Sequence, residues 1–199
     1  MAPSIPPREN FENNVINQAY DFRKKLVTET VRLKGQLAWV TGQHLDPPNN
    51  IINNGFSKLL KRLIMENEIL DQKILEYIMF RGGNIQDNSL ADANEINNMI
   101  TTYSGTTQFL EKLTNVYGDL IAGVQMVSDE ANGQVQTDFI TIHFFTQIAI
   151  HIHKRWTQLC KIYNSHNADA LNNNLVFMLS NTSDIENTDI FDFSQLTIE

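Results

Sequence analysis

From Gly55 to Arg81 the chain places Phe56, Leu60, Leu63, Leu70, Ile74 and Tyr77 at intervals that return to one face of a helix, and then stops at Gly82-Gly83. Spacings of three, four and seven residues are those of a helix with one apolar stripe, and a strand, with its period of two, cannot keep such residues on one side. A glycine placed after the last periodic residue can end the helix in a left-handed cap. A stripe this long has to be covered by other helices of comparable length, so the rest of the chain is expected to supply them.

It does. Phe22, Leu26, Leu33, Leu37 and Val40 predict a first helix from near Glu9 or Asn10 to about Thr41, closed by Gly42 and the Asp46-Pro47-Pro48-Asn49-Asn50 run, with a loop of about ten residues before Gly55. A third helix is expected from Asp92, a suitable N-cap, through Ile96, Ile100, Tyr103, Leu110, Leu113, Tyr117, Leu120, Val124 and Val127. Gly105, Gly118 and Gly123 interrupt it, which points to kinks or close helix contacts. After an Asn132-Gly133 turn, Phe139, Ile142, Phe145, Ala149, Ile152, Trp156, Leu159 and Tyr163 define a fourth helix antiparallel to the third. Asn164-Ser165-His166-Asn167 is expected to break the chain before a short fifth helix, Ala168 to Leu179, whose apolar side holds Leu171, Leu175 and Leu179. The expected fold is all-α: a four-helix bundle with one long crossover, between the second and third helices, and a short fifth C-terminal helix. One domain then covers residues 1–180, and the acidic stretch 181–199 is a mobile tail.

Charge narrows the function classes. A formal net charge of −8 and a pI near 5.1 leave no basic patch to neutralise phosphates, so no nucleic-acid partner is expected. Cys160 is the single cysteine, which rules out an intrachain disulfide and a thiolate metal site. With no signal-like N-terminus and no apolar run long enough for a membrane, the expected location is cytoplasmic; the Asn181-Thr182-Ser183 sequon makes the secretory pathway the alternative if a leader was removed. His143, His151 and His153 lie on the fourth helix without the i,i+4 spacing that lets one helix supply two metal ligands, so they read as packed or surface residues. Trp39 and Trp156 fall at apolar positions and read as core.

Three blocks carry a family resemblance: Gly55-Phe56-x-Lys58-Leu59 through Tyr77-x-x-x-Arg81-Gly82-Gly83, then Phe109-Leu110-Glu111-Lys112, then Asp138-Phe139-Ile140-Thr141-Ile142-His143-Phe144-Phe145. Together with the helix order they resemble ferritin subunits, most of all the light-chain-type subunits of insect ferritins. The resemblance implies di-iron ligands in heavy chains: a glutamate in the first helix, a Glu-Glu-x-x-His in the second, a glutamate in the third and a glutamine in the fourth. Glu66 and Glu111 match two of them. Asn67, Leu70 and Ile148 stand at the second glutamate, the histidine and the glutamine. In the first helix the gapless register puts Arg32 at the ligand position, and an insertion of three residues in the Pro-Pro loop brings Glu29 there instead.

The resemblance therefore implies a non-catalytic light-chain-type subunit that forms or completes an iron-storage shell. Its iron is a ferric mineral held by the assembly. Its partners are further copies or a ferritin heavy chain, in a shell of 24 subunits. The positions of the light-chain nucleation patch are Arg62, Met65, Glu66 and Ile69, of which Glu66 alone is acidic. Asp138 matches a carboxylate of the three-fold channels, with Thr141 in place of its companion; alternatively it is an acid favoured at a helix N-terminus. On these grounds Glu66 and Glu111 are vestigial iron contacts, Glu29 a third whose register is open, Asp138 a channel residue, and Leu171, Leu175 and Leu179 assembly residues. A weak ferroxidase built on Glu29, Glu66 and Glu111, or a ferritin-fold structural protein that stores no iron, are the alternatives.

Overall fold

The computed structural model describes residues 13–42, 49–83 and 106–168. These form four helices: α1 Asn13–Gly42, α2 Asn49–Phe80, α3 Thr106–Asn132 and α4 Phe139–Ala168. Each is about 40 to 48 Å long. Helix α1 packs on α2 and on α3, and α3 packs most extensively on α4. Side-chain bonds between α2 and α4 close the ring.

The direction of the helices follows from two contacts. The backbone N–H of Asp138, just before α4, donates to the carbonyl of Ala131 at the end of α3 (3.1 Å), so these helices are joined by a tight turn and run antiparallel. Arg81, just after α2, reaches Asp138 (2.7 Å). The ends of α2 and α3 therefore share one end of the bundle, α2 and α3 are parallel, and the connection between Gly83 and Thr106 must cross back along the bundle length. At about 3.3 Å per extended residue that stretch has ample reach.

The core is a continuous apolar column that includes Phe22, Leu26 and Leu33 of α1, Leu63, Leu70 and Ile74 of α2, Leu113, Leu120 and Val127 of α3, and Phe145, Ile148 and Ile152 of α4. Tyr77 stacks on Phe144 with centroids 4.1 Å apart, and Phe145 meets both Phe22 and Tyr77 edge to face. Gly123 lets α3 approach α1: a Cβ there would sit 3.1 Å from the Phe22 ring. Gly82, with φ +87°, ends α2 in the expected cap; its N–H bonds to Met79 and that of Gly83 to Ile78, the double bond of a Schellman motif.

Several boundaries differ from the expectation. Helix α2 begins at Asn49, directly after the Pro47-Pro48 pair, so Asn49 to Asn54 are helical and the loop is shorter. Asparagine's low propensity amounts to well under 1 kcal/mol per residue, which the continuity of a long packed helix outweighs. For the same reason Asn164-Ser165-His166-Asn167 does not break the chain: α4 runs through it to Ala168. Phe139 is 75% exposed rather than core. The start of the third helix at Asp92, the Trp39 side chain, the fifth helix with Leu171, Leu175 and Leu179, and the tail from residue 181 lie outside the described residues. No described helix is long and apolar enough to cross a membrane.

Candidate functional site: an arginine-filled bundle centre

Halfway along the bundle the apolar column is interrupted by charge. Glu66 projects from α2 at a core position between Leu63 and Leu70, and only 4% of it is exposed. Arg155 of α4 grips its carboxylate with both arms: Nε donates to Oε2 at 2.6 Å and Nη2 donates to Oε1. Arg62, one turn back on α2, donates through Nε to the same Oε1 (3.0 Å). Arg155 also donates to Gln158 (2.6 Å). On α1 a second buried acid, Glu29, receives a two-armed contact from Arg32, with Nε to Oε2 at 2.6 Å and Nη2 to Oε1. Both partners of each two-armed pair are buried. The fork of a guanidinium matches a carboxylate better than any other cation a protein can supply, and it stays charged at every accessible pH.

His151 of α4 lies beside this cluster, with Nε2 3.7 Å from Glu66 Oε2. Burial lowers its pKa from 6.5 to about 4, and the charges of Arg155, Lys154 and Arg62 push the same way; Glu66 alone pulls it up. The ring is therefore neutral near pH 7. Burial also raises Glu29, against the hydrogen bonds and charge of Arg32 and the charge of Lys112. Tyr117 donates to Asn67 Oδ1 (3.3 Å), while Asn67 Nδ2 finds no hydrogen-bond partner among the described residues.

At the positions that match the family's di-iron ligands stand paired, exposed or apolar side chains. Glu29 and Glu66 are buried at the centre, so both registers of the first helix place a residue there: Arg32 is the partner of Glu29. Glu111 is exposed, one residue off the buried Leu110, Leu113 and Tyr117 stripe. Among the described residues no three His, Cys, Asp or Glu side chains form a metal-holding group, so Glu29, Glu66 and Glu111 do not converge on one ion. Asn67, Leu70 and Ile148 are core residues. The donor set does not fit a pair of iron ions. Both oxygens of Glu66 and of Glu29 already accept guanidinium hydrogens, and a metal would have to displace a fixed cation that repels it by about 4 kcal/mol per unit charge at 4 Å and an effective dielectric near 20.

Of the nucleation positions, Met65 is 49% exposed, Arg62 and Ile69 are half-buried, and Glu66 faces inward. The one acid of that patch is thus withdrawn from the surface.

Asp138 sits at the bundle end in a different network. It is the residue before α4; its Oδ1 accepts the Thr141 N–H (3.1 Å) and its Oδ2 accepts the Thr141 hydroxyl (2.6 Å), an N-cap that reaches the third residue of the helix. The same Oδ2 takes Arg81 at 2.7 Å. Since the Thr141 proton is committed to Asp138, Tyr77 must be the donor in the 2.8 Å Tyr77–Thr141 bond. Burial pushes the Tyr77 phenol up to about 12. Asp138 therefore fastens the end of α2 to the start of α4. Asp138→Ala removes the cap and a half-buried ion pair together and is expected to cost about 2 kcal/mol, lowering the thermal midpoint by roughly 4 to 8 °C. Thermal unfolding by circular dichroism measures it.

Sequence reasoning missed Arg155. The signal was there: 155 is three residues beyond Ile152 and four before Leu159, both buried, so a charged side chain stood on the core stripe and required a buried partner. Glu66, between Leu63 and Leu70, was that partner.

The backbone is similar to that of an open-pore ferritin from the hyperthermophilic archaeon Archaeoglobus fulgidus, with a TM-score of 0.66 and 11% identity over 86% of this chain and 97% of that one. No protein-family model and no curated protein matches the sequence. At so low an identity the likeness speaks for architecture and leaves the chemistry to the residues described above. The chain has the fold of a ferritin-like four-helix bundle.

Proposed function

We propose that the chain is a non-catalytic, light-chain-type ferritin subunit, one that contributes its bundle to an oligomeric iron-storage shell and leaves oxidation of Fe(II) to a heavy-chain partner. One observation carries this reading: guanidinium groups from Arg32, Arg62 and Arg155 saturate the two buried carboxylates, Glu29 and Glu66, where an active ferritin-like bundle would need open oxygen ligands. Arg155 takes over the job of holding α2 and α4 together across the centre. Ferric mineral would then be cargo of the shell and not a ligand of this chain's core. The insect light-chain likeness adds support from the sequence blocks.

The test is solution mass by light scattering with iron content measured on the same peak, for the full chain alone and co-expressed with a ferritin heavy chain. A shell-sized particle that carries iron only in the mixture is the expected result. A monomer or dimer without iron in both samples overturns it.

A second reading, a ferritin-fold structural subunit that stores no iron, is favoured by the nucleation positions: Met65 is outward and apolar, and Glu66 is turned inward. A mixed shell that takes up no more iron than heavy chain alone, subunit for subunit, would select it.

A further inference from the structure

Helix α3 ends on Asn132, with Gly133 next, and both residues are exposed. The Gly133 N–H donates to the Asp129 carbonyl (2.9 Å), and the Gln134 side chain donates to the carbonyl of Glu130 (2.9 Å). These bonds sit at the helix end, the part of a helix that opens at least cost. The Asn132 side chain makes no hydrogen bond with a described residue, so nothing pins its carboxamide. Beyond the turn the chain enters α4 at Asp138, whose N–H bonds to Ala131 and whose carboxylate takes Arg81 from the end of α2.

An asparagine carboxamide followed by glycine can react with its own backbone. When the last turn of α3 opens, the Gly133 nitrogen gives up its proton to hydroxide and attacks Cγ of Asn132. The new N–C bond closes a five-membered imide, the Cγ–Nδ2 bond breaks, and ammonia leaves. Water then opens the imide at either carbonyl, which leaves an aspartate or an isoaspartate at position 132. Glycine favours the step because it has no Cβ to obstruct the closing ring. The helix is the brake: it holds ψ of the asparagine at the helical value of about −42°, which the ring does not allow, and its hydrogen bond to Asp129 ties up the Gly133 N–H. We propose that Asn132–Gly133 is a site of spontaneous deamidation, gated by opening of the last turn of α3, and that the product loosens the α3–α4 turn. The new carboxylate lies at the negative end of the helix dipole, one turn after Asp129. An isoaspartate also adds a methylene to the main chain between Ala131 and Asp138, whose bond closes the turn. The site is independent of whether the chain stores iron.

The chain carries its own control, because Asn54–Gly55 is the same dipeptide set inside α2 with helix on either side. The full chain is held in mildly alkaline buffer, folded or in urea, and sampled over weeks. Peptide mass spectrometry reads the conversion of amide to acid at each asparagine and separates aspartate from isoaspartate. In the folded chain Asn132 is expected to convert at least about tenfold faster than Asn54, and in urea the two should convert at similar rates. Equal rates in the folded chain overturn the proposal. A preference for Asn132 that persists in urea also overturns it, because neighbours in sequence and not the helix end would then set the rate. Gly133→Ala keeps the turn, since its Cβ would meet the Asp129 and Glu130 carbonyls at 3.4 and 3.6 Å, ordinary contact distances. It is expected to slow conversion at Asn132 at least about tenfold, and an unchanged rate overturns the imide route. Each event adds one negative charge, so ion exchange separates the modified chain for amide hydrogen exchange. Faster exchange than in the unmodified chain across residues 129–141 is expected, and identical exchange overturns the loosening.

Discussion

Arg155→Ala lowers the stability of the folded chain by about 3 to 5 kcal/mol and its thermal midpoint by roughly 10 °C or more. The cause is the state in which it leaves Glu66: still 4% exposed in the wild-type packing, and held by Arg62 alone. A buried carboxylate that loses its two-armed partner keeps most of its desolvation cost. Replacing both partners at once, Glu66→Leu with Arg155→Met, costs less, because no carboxylate is then left buried without its two-armed partner. The non-additivity of these variants in thermal unfolding is the signature of an ion pair that the fold depends on, and equal losses from the single and double changes would show that Arg155 contributes packing alone.

Lowering the pH weakens the chain through His151. Its folded pKa, about 4, lies below the unfolded value of 6.5, so the unfolded chain takes up the proton first. Stability from this group is complete above about pH 7, falls as pH drops from 6.5 toward 4, and is then lost, a change of about 3 kcal/mol across the window. Thermal midpoints from pH 7 to pH 4 should decline more steeply in wild type than in His151→Gln, which has no proton to gain. Parallel profiles would mean that His151 titrates normally and is not held in the desolvated place it has here.

How much of this was legible in the sequence depends on which physical rule was in charge. The stripe on α2 and the antiparallel α3–α4 pair were readable because periodicity follows from burial, and burial decides the fold. The ends of α2 and α4 were misread where asparagine runs suggested turns; local propensity is a weak term beside the packing of a long helix. Phe139 looked like core because the stripe was begun one position too early, and it is exposed in the first turn of α4. Glu66 was legible as a retained acid, and its burial between Leu63 and Leu70 followed from phase. What completes it did not, since Arg155 lies far along the chain and nothing local announces which buried acid a buried base will meet. Asp138 carried two readings, and the contacts with Arg81 and Thr141 account for it as a helix cap and fastener.

Guanidinium groups occupy the carboxylates at the bundle centre, where a di-iron site would need open oxygen ligands. Aerobic Fe(II) oxidation by the full chain, compared with buffer and with Glu66→Gln under the same conditions, tests it most directly. All three should proceed at the same rate. Faster oxidation by wild type that Glu66→Gln abolishes would contradict the account, because Glu66 would then have to release Arg155 and hold iron.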